Sequence, residues 1–146
     1  MTQRLDHEKL RVYQEAVRFV EWRGVVLDGV PKRAVVRNQL DRASTGVPLN
    51  IAEGNGRHTP ADRCRFFDIA RGSALECGAC LDGLVARNYL DAAAVEPGKR
   101  MLARIVSMLV NLIRANSADR VYEGRAGYGR QDDQAVAGDG ERDGRD

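Results

Sequence analysis

The stretch of sequence that decides the fold is Val36-Arg-Asn-Gln-Leu-Asp-Arg-Ala-Ser-Thr-Gly-Val-Pro-Leu-Asn-Ile-Ala-Glu-Gly54, in which apolar residues recur every three or four positions. That spacing places them on one face of an α-helix. Pro48 lies inside the pattern, where it removes a backbone donor and clashes with the preceding turn, so we expect a kink or a break there. Gly54-Asn-Gly56 predicts the helix end, with a glycine in the left-handed conformation. The predicted buried face consists of Val36, Leu40, Ala43, Val47 and Ile51.

A helix is predicted before this stretch, over residues 10–27, and its apolar surface is unusually wide. Two neighbouring stripes together cover about 200° of the helix, whereas a core-facing helix needs about 100°. Either this helix is central to its own bundle, or its second apolar side is covered by another copy of the chain; the sequence leaves both open. One stripe is Leu10, Tyr13, Val17, Val20, Gly24 and Leu27, and the other is Val12, Ala16, Phe19 and Val26.

Two more helices are predicted after it, and the turn Asp28-Gly-Val-Pro31 separates the first helix from the second. Three residues predict the start of the third helix: Thr59 can cap it, Pro60 fits its first turn, and Asp62 faces the positive end of the helix dipole. We expect this helix to end within 87–91, and Glu96-Pro97 to open the fourth. The apolar stripe of the third helix is Phe66, Ala70, Ser73, Cys77, Cys80 and Leu84, and that of the fourth includes Met101, Ile105, Met108 and Leu112.

The predicted fold is all-α, because no segment has the alternation and turn boundaries of a β-strand. Short connections between long helices favour antiparallel neighbours, so we predict an up-down-up-down antiparallel four-helix bundle over residues 1–116. The remaining residues, 117–146, are rich in Gly, Asp and Arg. Such a segment cannot bury enough apolar surface to offset its ordering entropy, so we predict a disordered C-terminal tail.

Charge is unevenly distributed along the 146-residue chain, although the formal net charge is only +2. Before residue 115 there are 18 basic and 13 acidic residues, and from residue 115 onward there are 5 arginines and 8 acidic residues. The acidic tail is either a solvated segment or an arm that shields a basic surface or contacts a partner. The sequence has no apolar run long enough to cross a bilayer and no signal-peptide core, so we expect a cytoplasmic protein without membrane contact.

Several sequence blocks in the middle of the chain are more specific than periodicity. They are Gln39-Leu-Asp-Arg-Ala-Ser44, Val47-Pro-Leu-Asn-Ile-Ala-Glu-Gly54 with Gly56-Arg57, and Phe66-Phe-Asp-Ile-Ala-Arg-Gly-Ser73 with Glu76. Together with Leu10-x-Val-Tyr-Gln-x-Ala16, the chain resembles the four-helix bundle protein family, also called the 23S ribosomal RNA intervening-sequence protein family. The resemblance spans residues 8–114. The accessory proteins of diversity-generating retroelements have a similar bundle.

This resemblance implies a four-helix bundle that assembles into a ring-like homo-oligomer, a pentamer, without catalytic activity. Members of the family are encoded within ribosomal RNA insertions or beside other elements, and the retroelement relatives bind nucleic acid and a reverse transcriptase. The chain departs from the family at Gly46-Val-Pro48, where Ser-Ile-Pro or Ser-Val-Pro is usual. A hydroxyl that could cap the kinked turn is therefore missing.

Basic residues gather at both ends of the predicted bundle. Those at the starts of the second and fourth helices lie at the same end, beside unpaired backbone N–H groups, which is how helix N-termini hold phosphates. The alternative is an ordinary solvated basic end, partly offset by Asp28, Asp91 and Glu96. The candidate nucleic-acid-binding residues are Lys32, Arg33, Arg37, Lys99, Arg100 and Arg104, together with Arg57, Arg63 and Arg65 at the opposite end.

Polar residues of the specific blocks lie next to the apolar stripes, and buried charges must be paired. We therefore predict an interhelical network in which arginines of one helix meet glutamates of the other and fix the helix register around Pro48. The alternative is a site for a phosphate or a partner, with the arginine forks aimed outward. The residues of the predicted network are Arg42, Asn50, Glu53, Arg71 and Glu76.

Signals for catalysis are weak. Cys77-Gly-Ala-Cys80 has zinc-like spacing, but there is no second cysteine pair and both residues lie on a core stripe, where cysteine acts as a small hydrophobe. Ser73 has no histidine near it in the sequence to activate its hydroxyl. We therefore expect neither a metal nor a cofactor, and no enzymatic activity.

The sequence favours a non-enzymatic homo-oligomer that binds RNA or DNA through basic helix ends. Its expected role is that of an accessory factor in an RNA or retroelement process, with a reverse transcriptase or another protein as a further partner. The alternative is a protein–protein scaffold that has no affinity for nucleic acid.

Overall fold

The computed structural model describes residues 3–124, and it describes the side chains of residues 3–117. Within that range the protein is made of helices and turns, with no strand. Two short 3-10 turns, Asp6–Lys9 and Leu27–Gly29, flank the first helix. The four α-helices are α1 (Arg11–Val26), α2 (Val35–Asn55), α3 (Pro60–Ala86) and α4 (Ala92–Gly124).

The helices form the predicted antiparallel four-helix bundle. Each helix packs against its neighbour in sequence, and α1 also packs against α4, which closes the bundle. The register of α2 and α3 shows their antiparallel direction, since Gly46 lies beside Ser73 and Gly54 beside Phe67. The all-α, up-down-up-down prediction is therefore confirmed.

The core lies close to the faces that the periodicity predicted, with shifts in α1, α3 and α4. Phe66 and Ser73 of the predicted α3 stripe and Met101, Met108 and Leu112 of the predicted α4 stripe are half-buried, whereas the buried residues include Phe67, Ala74, Leu81, Leu102 and Leu109. Of the two apolar stripes of α1, the one with Val12, Ala16 and Phe19 is buried, whereas Val17 and Val20 of the other stripe are only half-buried. The wide apolar surface of α1 thus leaves a second side partly open to solvent in the single chain. The largest fully buried side chains of the core include Phe19, Leu40, Ile51, Phe67, Leu81, Leu84, Ile105 and Leu109.

Helix α2 passes through Pro48 without the predicted break. Pro48 is itself buried, so packing offsets the lost backbone bond. Side chains also bond carbonyl groups around the proline: Ser44 Oγ donates to the Asp41 carbonyl at 3.0 Å, and Asn50 Nδ2 donates to the Gly46 carbonyl at 2.8 Å. The start of α2 lies at Val35, because residues 31–34 form a turn after Pro31.

Helix ends differ from the sequence prediction at two further places. Gly56 ends α2 with φ −84°, so the left-handed glycine predicted there is wrong. The left-handed residue is Asn88, with φ 60°, which follows α3 and lets the Tyr89 amide bond the Leu84 carbonyl at 3.0 Å. Asparagine is the usual substitute for glycine at such a helix end. Thr59 caps α3 as predicted, accepting a hydrogen bond from the Asp62 amide.

Helix α4 is longer than predicted at both ends. It begins at Ala92, after Asp91 Oδ1 accepts a hydrogen bond from the Ala94 amide at 2.8 Å, so Pro97 lies inside the helix rather than at its start. It continues to Gly124, beyond the boundary predicted between residues 116 and 117. Residues 125–146 of the predicted tail lie outside the described residues. No helix in the described part of the chain is long and apolar enough to span a membrane.

Two glycines allow close approach between helices. A Cβ at Gly54 would lie 2.9 Å from the Phe67 ring across the α2–α3 contact, and a Cβ at Gly98 would overlap the Trp22 ring across the α1–α4 contact. Real Cβ atoms do not reach such distances, so any side chain at Gly98 would push the two helices apart or displace the indole.

We expect Gly98→Ala to lower the free energy of unfolding by about 1–3 kcal/mol through overpacking against Trp22. Gly72→Ala is the matched control, because nothing lies within 4 Å of a Cβ there and the residue is inside α3. The control should stabilise the protein by about 0.5–1 kcal/mol. Chemical denaturation of the two variants measures both effects, and equal stability of the two would contradict the predicted close contact.

Candidate nucleic-acid interface

The basic residues predicted at the start of α2 fall into two groups, those exposed to solvent and one that is bonded to backbone carbonyls. Lys32 and Arg33 are exposed in the connection that precedes the helix. Arg37 is half-buried, and its Nη1 donates to the carbonyls of Leu27, at 2.7 Å, and Val30. Arg37 therefore holds the α1–α2 connection together, whereas Lys32 and Arg33 stay open to a partner.

The basic cluster predicted at the start of α4 is not in its first turn. Because α4 begins at Ala92, Lys99 lies about two turns inside the helix, and unpaired N–H groups occur only at the start. The phosphate argument based on a helix N-terminus is therefore wrong for this cluster. Lys99 forms an ion pair with Asp82 of α3, and Arg100 is exposed.

The opposite end of the bundle also uses some of its cations internally. Arg63 Nη1 donates to the Asn55 carbonyl at 2.8 Å, and Arg63 Nε donates to Asn116 Oδ1 at 3.0 Å, so this side chain joins the α2–α3 loop to α4. Arg57 pairs with Glu53 and lies 4.6 Å from the centre of the Phe66 ring. Arg65 is exposed and approaches the same ring from 5.2 Å.

The predicted polar network between α2 and α3 does not form within the described chain. Arg42, Arg71 and Glu76 are exposed, and Glu53 pairs with Arg57 of its own chain segment instead. Arg71 and Glu76 are five residues apart, or about 140° around the helix, so they point to different sides of α3. Arg42 and Glu53 share a stripe of α2 but lie about 16 Å apart along it. Asn50 bonds only within its own helix.

A charged cluster between α1 and α4 was not predicted. Glu15 is 7% exposed, and its Oε1 accepts hydrogen bonds from Arg104 Nε at 3.0 Å and Arg104 Nη2 at 2.6 Å. Its Oε2 accepts from Arg18 Nη1 at 2.7 Å. Burial by itself raises the pKa of this carboxyl, but the hydrogen bonds and charges of the two arginines outweigh burial and leave the pKa lowered. The sequence did contain a signal for this buried carboxylate, because Glu15 follows Val12 by three residues and so lies on the buried stripe of α1.

A second unpredicted ion pair joins α1 to α2. Arg23 is largely buried, with 14% of its side chain exposed, and it pairs with the carboxylate of Asp41. Its Nε has no hydrogen-bond partner among the described residues. The pair fixes the C-terminal half of α1 against α2.

The cysteines are buried in the core. Burial first, and then the neighbouring Cys80 and Glu76, raise the pKa of the Cys77 thiol to about 12. Burial also raises the pKa of Cys80. Both thiols therefore stay protonated at neutral pH, and a protonated thiol is neither a nucleophile nor a metal ligand. Within the described residues, no group of three or more His, Cys, Asp or Glu residues could hold a metal ion.

The fold and this surface define a class of protein: a small antiparallel four-helix bundle with basic side chains exposed at its ends and in the seam between its first and last helices. The chain belongs to the 23S rRNA-intervening sequence protein family, whose family model matches residues 8–111. The search of curated proteins finds no match.

A solved structure supports the fold independently. The chain is similar to a protein of unknown function from the S23 ribosomal protein family of Bacteroides thetaiotaomicron VPI-5482. The TM-score is 0.65 at 23% sequence identity, and the match covers 70% of this chain and 97% of that chain. At this identity the likeness extends to the fold alone.

Replacing Glu15 by glutamine should lower the free energy of unfolding by roughly 1–2 kcal/mol at pH 7, because charge-assisted hydrogen bonds are lost while the partly exposed arginines remain solvated. Because the folded-state pKa is lowered, this stabilisation is fully present above the ordinary carboxyl pKa of 4.5 and is lost as the pH falls through the folded-state value. Urea denaturation of the wild type and variant across this pH range measures the difference. Glu21→Gln, an exposed change on the same helix, serves as control; an equal loss there would contradict the special role of Glu15.

Proposed function

We propose that this protein is a non-enzymatic, homo-oligomeric bundle that binds RNA or DNA through basic residues at its helix ends. In this proposal it acts in the cytoplasm as an accessory factor to an RNA or retroelement process, with a reverse transcriptase or another protein as a further partner. The 23S rRNA named in the family description favours RNA as the nucleic acid.

The observation that carries the proposal is a set of exposed cations without acidic partners in the described chain. Lys32 and Arg33 lie at the end of the bundle where α2 begins, Arg100 lies about two turns inside α4, and none of the three forms an ion pair within residues 3–117. Exposed lysine and arginine side chains that are not neutralised internally are available to phosphates, and oligomerisation would multiply this patch. The basic part of the sequence, before residue 115, coincides with the folded bundle.

Exposed apolar residues on the α2–α3 face support the homo-oligomer. Leu49 is 63% exposed and Ile69 is 44% exposed, and the antiparallel register places them at the same level of the two helices. Arg42 and Glu76 are also level with each other on this face and form no ion pair in the single chain. The polar residues of the family-specific blocks are thus presented outward, where a second copy could satisfy them.

A different apolar surface lies on the other side of α3. Leu75 is 55% exposed at the edge of a groove between α3 and α4, with a cavity of about 490 Å³ lined in part by Leu102 and Val106. Two unlike patches on opposite sides of one helix favour head-to-tail contacts, and such contacts close into rings when the rotation permits. This arrangement supports the ring, and a pentamer is the ring that the family resemblance implies.

The chemistry of the described side chains supports a non-enzymatic role. The Cys77 thiol is held in its protonated form by burial, and the buried Glu15 carboxylate is compensated by two arginines. The thiol is not in the thiolate form that a nucleophile requires, and a carboxylate whose pKa is lowered is a weak general base near neutral pH. A protein–protein scaffold without nucleic-acid affinity is the second candidate, favoured by the same exposed Leu49 and Ile69 pair.

The oligomer predicts an effect of charge at the centre of the α2–α3 face. Ile69→Asp should convert the assembly to monomers or lower its mass several-fold, because a carboxylate would be desolvated in the interface. Val25→Asp is the control, since Val25 is 74% exposed on α1, away from this face. Light scattering coupled to gel filtration gives the mass of each. A wild-type mass equal to one chain, or no change in Ile69→Asp, would contradict the proposed assembly.

If the protein binds nucleic acid through its cations, its affinity should depend on salt concentration, and the acidic tail should lower it. We expect fluorescence anisotropy of a labelled structured RNA to show binding whose logarithm falls linearly with the logarithm of salt concentration. Ending the chain after Gly124 removes four arginines and six acidic residues, so affinity should rise several-fold. Lys32→Gln/Arg33→Gln should weaken binding. Absence of binding to RNA and to duplex DNA at about 50 mM salt would favour the scaffold.

A further inference from the structure

The groove between α1 and α4 contains a polar cavity that is separate from Lys32 and Arg33 at the start of α2. Its volume is about 390 Å³. Residues of α1 form one wall and residues of α4 form the other, so the site depends on the packing of these two helices. The polar lining consists of Arg11, Gln14, Glu15, Arg18, Arg104 and Ser107.

Glu15 arranges two of the three arginines in this cavity. One carboxylate oxygen accepts from Arg104 Nε and Nη2, and the other accepts from Arg18 Nη1. A guanidinium has five N–H donors, so each arginine keeps donors that the carboxylate does not use. In the described chain, Arg104 Nη1 and Arg18 Nη2 have no hydrogen-bond acceptor. The buried carboxylate thus fixes both forks at one edge and leaves other donors available toward the cavity.

The charge of the cavity is unbalanced even after this pairing. Three arginines face one carboxylate, because Arg11 is exposed and forms no ion pair within the described residues. Two positive charges in excess within one cavity repel each other unless an anion lies between them. The lowered pKa of Glu15 means that this count holds at neutral pH.

The polar surface continues along α4 in both directions from Arg104. The helical period places Arg100, Ser107, Asn111 and Arg114 on the same exposed stripe of α4. From Arg100 to Arg114 the stripe is about 21 Å long, which exceeds the size of a single small anion. The geometry suits an extended polyanion better than an isolated phosphate.

We propose that the α1–α4 groove binds the sugar–phosphate backbone of RNA, with Arg11, Arg18 and Arg104 contacting phosphodiester oxygens. Arginine is suited to this because its planar fork bonds phosphate oxygens in pairs. Such contacts fix the position of the RNA without reading its sequence. The inference rests on the proposed function, and it adds a site separate from Lys32 and Arg33 at the start of α2. Glu15 is a positioning residue in this site, since it acts through the two arginines it holds.

Two pairs of substitutions that each remove two charges test the groove, and a single substitution is the control. Arg11→Gln/Arg18→Gln alters the groove and Lys32→Gln/Arg33→Gln alters the bundle end. Arg71→Gln is the control, because Arg71 is exposed and points to a different side of α3 from Glu76 of the proposed interface. Affinity for a labelled single-stranded RNA is measured by anisotropy across a salt series, with the full-length chain. Thermal melting and light scattering identify the variants that keep the wild-type fold and mass. The single change Arg11→Gln is measured in parallel, because Arg11 is exposed and forms no ion pair in the described residues.

We expect Arg11→Gln/Arg18→Gln to lower the affinity about tenfold more than the control does. It should also reduce the steepness of the salt dependence by about 1.4, which corresponds to two lost phosphate contacts on a single strand. Arg11→Gln alone should give about half of that reduction. Wild-type affinity in the groove variants, with loss only in Lys32→Gln/Arg33→Gln, would overturn the groove site and leave the proposed function intact. No RNA binding by the wild type would overturn the groove site, and no binding to duplex DNA in addition would overturn the proposed function as well.

Discussion

Close approach of helix backbones at small residues is the constraint on which the rest of this structure depends. Gly54 lets the Phe67 ring lie against α2, and Gly98 lets the Trp22 ring lie against α4. The buried face of α3 between these contacts is built from Ala70, Ala74 and Cys77. With so little side-chain volume between the helices, there is no room for the charged groups of the specific sequence blocks, which are directed outward. The surface chemistry of the bundle follows from this packing.

The sequence was sufficient to predict the helices and their order, because periodicity over 16 to 33 residues is a strong signal. It was less reliable at the boundaries, where single contacts decide. Asp91 can start α4 only because its carboxylate reaches the Ala94 amide, and the more conspicuous Pro97 misled the prediction by five residues. Pro48 lies inside α2 as predicted, and the helix continues through this buried residue without the break that was one of the two expected consequences.

The candidate site was predicted less well than the fold, for a physical reason. Residue type indicates that a cation is present but not which acceptor it reaches in three dimensions. Arg37 and Arg63 are committed to loop carbonyls, whereas Arg11 and Arg18, which the sequence did not single out, line a cavity. Partners 89 residues apart, such as Glu15 and Arg104, follow from the pairing of α1 with α4 and from no local pattern. The predicted network failed in the same way, because helical phase separates Arg71 from Glu76.

The three buried cysteines have a consequence for how the opening of this bundle can be observed. All three are free thiols enclosed by α3 and its neighbours, with Cys64 Sγ close to the Ile113 carbonyl at 3.6 Å. A thiol reagent in solution can reach them only when the helices separate, so the rate of labelling reports local unfolding events rather than intrinsic reactivity. Cys64 lies near the start of α3, and Cys77 and Cys80 lie in its second half. The labelling rates of Cys64 and of the Cys77–Cys80 pair can therefore be compared in the native sequence, and the comparison shows which end of the bundle opens first.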